Sequence, residues 1–161
     1  MRPQAAIAAL MLAPAIAWGK PTPSCEGAVV RAKPVSLREA AQAANAYFAL
    51  PPGLLAALVD TENQRWDVGA VGSFGEVGLA QMKPTTVLVV LNKRDTAASR
   101  KWAAWVLFQP RANLCLAARL LADNLAACAG NTACAVACYN AGPGNCRYTA
   151  SILARLEPAK E

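Results

Sequence analysis

Helical periodicity, cut at short intervals by proline and glycine, constrains this chain most. "SLREAAQAANAYFAL" opens on Ser36 with Glu39 three residues on, the pattern of a capping box, and Pro51-Pro52-Gly53 breaks it. A second helix is expected from about residue 52 to 63, and "TAASRKWAAWVLF" reads as another. Residues 110–128 are the clearest helix. Leu114, Ala117, Ala118, Leu121 and Leu125 make its apolar stripe, and Gly130 suits its C-terminal cap. Shorter helices are expected at about 132–139 and 148–156. "DVGAVGSFGEVG" has four glycines in 12 residues and reads as a loop with unusual backbone angles, and "GLAQMK" as a short helical turn. "VLVVL", residues 87–91, is ambiguous: β-branching favours a strand, but no second strand is visible to pair with it. The expected class is therefore all-α, one compact lobe of roughly six to eight short helices.

The first residues read as an export signal, with an uncleaved anchor as the lesser alternative. Arg2 precedes an alanine-rich apolar run over 5–17, and Ala15-Ile16-Ala17 has the small-x-small form of a cleavage site. Cleavage after residue 17 is expected, with residue 19 as the second choice. The run is too short for a comfortable membrane span. Residues 18–35, with Pro21, Pro23 and Pro34, read as an extended lead-in to a single domain over 36–161. The implied location is periplasmic. All six cysteines, Cys25, Cys115, Cys128, Cys134, Cys138 and Cys146, lie beyond the leader, and an even count in an exported chain argues for disulfides. The expected pairs are Cys128–Cys134 across "AGNTA", Cys138–Cys146 across "YNAGPGN", and Cys25–Cys115 tying down the lead-in. Cys115–Cys138 is the main alternative.

Several chemistries drop out. The chain has no histidine, which removes His-ligated zinc and Ser-His or Cys-His pairs. No glycine-rich phosphate loop is present. No metal or cofactor is expected. The formal net charge of +6 suits an exported protein that meets anionic envelope polymers rather than nucleic acid. Carboxylates remain. Leu55, Leu58, Val59 and Glu62 form one stripe at helical spacing, so Glu62 sits against apolar neighbours. Desolvation there raises a carboxyl pKa and makes a proton donor near neutral pH. Asp60 projects roughly 200° around the helix from it. Asp67 and Glu76 fall in the glycine-rich loop, with no spacing that fixes them near Glu62.

Three segments lie in order: Glu62 at a helix end, "SFGEVGLAQMKPTT" over 73–86, and "ACYNAGPGN" over 137–145. Together they resemble the soluble lytic transglycosylases of bacterial cell-wall turnover, whose catalytic domain has a lysozyme-like fold. "LFQPRANLCLAARLL" resembles the family's helix before the Tyr-Asn motif, with Asn113 in the usual place. The resemblance covers residues 36–153. It implies that Glu62 is the catalytic acid/base, that Ser73, Gly75, Gly78 and Gln81 line the sugar groove, and that Tyr139 and Asn140 close the site. It implies a peptidoglycan substrate cut between N-acetylmuramic acid and N-acetylglucosamine, with a 1,6-anhydro product made by substrate assistance from a single carboxylate. Tyr139 is expected to orient Glu62, Trp66 is a candidate for stacking on sugar, and Trp102 and Trp105 are expected in the core. The sequence departs from the family at Asn63, where serine is usual, and at Lys83, where larger members carry methionine. The loop before Gln81 is one residue longer, and Gly144 stands where those members carry a second glutamate. The short final segment is similar to small members that accompany secretion or conjugation machines, and a monomer is expected. Two rival readings are a hydrolytic muramidase of the same fold and a non-catalytic wall-binding assembly protein.

Overall fold

A computed structural model describes residues 24–33, 36–140 and 146–156, the last segment without the side chains of residues 146 and 147. The expected leader, the start of the lead-in and the "AGPGN" stretch with Gly144 lie outside the described residues. Among these there are eight helices and no strand: α1 Cys25–Arg31, α2 Leu37–Tyr47, α3 Leu54–Glu62, α4 Pro84–Val90, α5 Ala97–Leu107, α6 Pro110–Ala127, α7 Thr132–Tyr139 and α8 Cys146–Leu156. None is long and apolar enough to cross a membrane.

The helix starts follow the caps. Ser36 accepts from Glu39 N–H while Glu39 accepts from Ser36 N–H, closing the capping box on α2. Thr96 and Ser99 do the same for α5. Helix α6 starts on Pro110 at its first position and ends through Ala129 and Gly130, both with positive φ; Gly130 N–H returns to Leu125 C=O at 2.8 Å. Two segments depart from the sequence reading. Within the lead-in, Cys25–Arg31 is helical, capped by Ser24 and held by a Cys25–Cys115 disulfide to α6. "VLVVL" is helical through Val90, with Val87 and Leu88 fully enclosed by the core and no partner strand among the described residues; burial overrides β-propensity.

Helix α6 is the axis, packing against α1, α2, α3, α4, α5 and α7. Leu114, Ala117, Ala118 and Leu121 are fully buried along it, in one core cluster with Leu54, Leu55, Leu58 and Val59 of α3. Each buried leucine contributes roughly 1.5–3 kcal/mol of transfer free energy. Trp102 and Trp105 stand outside this core, 40% and 62% exposed, so they are surface residues of α5 rather than packing residues. The start of α3 has no side-chain cap, and buried Asn45 replaces it. Its amide donates to Leu50 and Pro51 C=O and accepts from Leu55 N–H. That bracket fixes the axis of α3, and with it the place of Glu62.

Candidate active site

Helix α3 ends at Glu62 because Asn63 leaves the helical region and knots the chain beyond it. The Asn63 amide donates to Asp67 C=O at 2.7 Å, and its oxygen accepts from Asp67 N–H at 3.1 Å. The asparagine in place of serine thus braces the loop. Leu55, Leu58 and Val59 are sealed, and Glu62 stands half-buried at the mouth of the same stripe. Burial raises its carboxyl pKa. The Tyr148 hydroxyl, donating to Glu62 Oε1 at 2.6 Å, pulls the other way, and the negative charge of Glu76 raises it further; the net shift is upward.

Glu62 opens onto a cavity of about 440 Å³. Of the residues expected there, Ser73, Gln81, Tyr139 and Asn140 line it with Glu62. Gly75 and Gly78 do not. Gly75 shapes the loop tip with φ +83° and open space around its Cα. Gly78 faces the protein interior. A Cβ there would collide with the Asn113 amide and with Leu107 C=O, and its φ of +77° disfavours any side chain. Behind it, buried Asn113 accepts from Ala80 N–H at 2.9 Å and donates to Val77 and Leu107 C=O at 3.1 and 2.9 Å. This residue anchors the groove wall to α5 and α6. Residues 78–81 form one hydrogen-bonded turn closed by the antiparallel bridge Val77–Met82, with a second bridge, Val71–Val77, before it, and not a helix. Gln81 has φ +46°, and its amide donates to Gly78 C=O at 2.8 Å.

Two roles differ from the sequence reading. The hydroxyl that orients Glu62 belongs to Tyr148 on α8. Tyr139 instead donates to Ala80 C=O at 2.9 Å and closes the floor. Burial pushes both phenols above their ordinary pKa, so both stay neutral. The second difference is Glu76, which lines the cavity with Glu62. Partial burial works to raise its pKa, but its own N–H, the Phe74 N–H and Lys83 outweigh this and hold it low. Phe74 N–H donates to Oε2 at 3.0 Å, and Lys83 Nζ lies 3.5 Å from Oε1. The rank of Glu76 in the loop gave no sign of this; two backbone bridges and a turn deliver it.

The other acids are engaged elsewhere. Asp60 takes a bidentate Arg38 at 3.0 and 2.6 Å and the Trp66 indole N–H at 2.7 Å, and Arg38 covers the Trp66 ring. Trp66 is therefore braced against α2 and is not among the cavity residues. Asp67 Oδ1 accepts from Gly69 N–H. A Cys128–Cys134 disulfide closes the turn before α7. Cys138 is an exposed thiol on the cavity rim, and the side chain of Cys146, its expected partner, lies outside the described residues. A larger hollow of about 700 Å³ between α2, α5 and the start of α6 has Glu26 and Arg111 as its charged groups and lies away from Glu62.

The arrangement brings together a carboxyl whose pKa burial raises, a phenol that orients it, and an open groove with an amide and a serine on its wall. No curated protein and no solved structure matches the chain significantly. Residues 39–157, nearly the whole described domain and all the cavity residues, match the transglycosylase SLT domain, and the chain belongs to that family.

Proposed function

We propose that the protein is a peptidoglycan lytic transglycosylase that cuts the β-1,4 bond between N-acetylmuramic acid and N-acetylglucosamine and forms a 1,6-anhydro end, with Glu62 as acid and base. The observation that carries this reading is the half-buried Glu62 carboxyl, with its raised pKa and its Tyr148 hydrogen bond, opening on the groove. In the first step Glu62 gives its proton to the glycosidic oxygen. The C1–O bond breaks, the electron pair leaves with the departing sugar, and positive charge spreads over C1 and the ring oxygen. The substrate's own acetamido oxygen supports that charge. Its 6-hydroxyl then attacks C1 and returns its proton to Glu62. No water is consumed.

Gln81, Ser73 and Asn140 bind the acetamido and hydroxyl groups of the strand in this reading. The export signal over 1–17, cleavage there and a periplasmic site of action belong to the same proposal. So do a monomeric state and service to a secretion or conjugation machine. The test is digestion of purified peptidoglycan with the protein lacking residues 1–17, followed by mass analysis of the fragments. Anhydro ends support the proposal. A second reading, a hydrolytic muramidase, is favoured by one observation, the second carboxylate, Glu76, on the same cavity. It predicts reducing ends one water heavier.

A further inference from the structure

We infer that Glu76 is a second carboxylate of the site, one whose charge stabilises the positive charge developing on the sugar ring as Glu62 protonates the leaving oxygen. The inference rests on the reaction proposed above and deepens it. Both carboxylates border one cavity, and the charge of Glu76 is one cause of the raised pKa of Glu62. The loop is built around the Glu76 carboxylate. Phe74 N–H and Lys83 hold it from the loop side, while the side chain stays 21% exposed toward the groove. Gly72 makes the room, since a Cβ there would collide with Glu76 Oε2 and lie 2.8 Å from Gln81 Oε1.

Two acids with pKa values driven apart in one site divide the work, one donating a proton and the other holding charge. Glu62 is faced by Tyr148 from α8, Tyr139 from α7 and Glu76 from the loop; Glu76 is faced by Lys83 and by Glu62. Neither phenol ionises in the working range, so the two glutamates set the pH response. Glu76 gains and loses no proton in the step. The proton travels from Glu62 to the leaving oxygen and returns from the 6-hydroxyl, while Glu76 lowers the energy of the cation between.

The experiment measures kcat and KM on purified peptidoglycan across pH for the wild type, Glu76→Gln, Glu76→Asp, Lys83→Met and Glu62→Gln, with thermal melts to check folding. Glu76→Gln keeps an oxygen that accepts from Phe74 N–H and removes only the charge, so a mere loop brace predicts near-wild-type turnover. The expected result is a fall in kcat of about 10- to 100-fold with KM little changed. The basic limb, which reports loss of the Glu62 proton, moves to lower pH, because its anionic neighbour is gone. The acidic limb, which reports protonation of Glu76, disappears, and Glu76→Asp restores part of the rate. Lys83→Met moves the acidic limb to higher pH, and this test stands even if Glu76→Gln folds poorly. If Glu76→Gln folds, holds kcat within about 2-fold and leaves the basic limb unmoved, the inference is overturned while an inactive Glu62→Gln leaves the proposed function intact. An unmoved acidic limb in Lys83→Met also overturns it. Full activity in Glu62→Gln removes the parent reading instead.

Discussion

Replacing Cys25 and Cys115 together with alanine tests how α1 is held. Their bridge closes a loop with a sequence separation of 90, whereas Cys128–Cys134 closes one of 6; both span a Cα–Cα distance of 5.9 Å. If a disulfide acts by restricting the unfolded chain, its stabilisation grows with the logarithm of loop length. The relation gives about 4.6 kcal/mol for the long loop and about 2.2 kcal/mol for the short one at 25 °C. For a domain of this size the first loss lowers Tm by roughly 15 °C. Urea unfolding under non-reducing conditions measures both, and the m-value of the long-loop variant should rise, because its unfolded chain expands. Helix α1 packs on α2 and α6 and not on the end of α3, so the variant, while folded, should keep its turnover on peptidoglycan. A loss under about 2 kcal/mol, or one no larger than that of the short bridge, would refute the chain-entropy argument.

Three other outcomes follow from the site. Tyr148→Phe removes the hydrogen bond that pulls the Glu62 pKa down, so the basic limb of the kcat profile should move to higher pH while kcat falls; Tyr139→Phe should leave that limb in place and cost stability instead. Asn113→Ala strands one buried N–H and two buried C=O groups behind the groove wall and should cost about 3–5 kcal/mol in denaturant unfolding, with expression falling accordingly. Glu62 binds its proton more tightly folded than unfolded, so its contribution to stability is lost as pH rises through its raised pKa; Glu62→Gln should gain in Tm over the wild type on the alkaline side of that pKa and not below the unfolded value.

Local rules made much of this fold legible. The capping box at Ser36 and Glu39 and the apolar stripe of α6 are written in single short stretches, and they form as read. Burial of Glu62 also follows from spacing alone, because Leu55, Leu58 and Val59 share its face. What stayed hidden depends on contacts far apart in sequence. Tyr148 meets Glu62 across a separation of 86 residues, and nothing local ranks it above Tyr139. Glu76 reaches the cavity only because two bridges fold the loop back on Val77. Gly78 looks like a groove glycine by motif, yet Asn113 packed behind it is what demands the missing side chain. The helix at 84–90 overrode its own β-branched composition through burial of Val87 and Leu88.

In the proposed mechanism a single proton on Glu62 drives cleavage without water. It is tested most directly by digesting purified peptidoglycan with the protein lacking residues 1–17 and with its Glu62→Gln variant, then weighing the fragments. The expected result is anhydro ends from the first and a loss of at least roughly 10²–10⁴-fold in the second, with the fold unchanged. Reducing ends from the wild-type protein, or a folded Glu62→Gln variant that cuts at the wild-type rate, would contradict it.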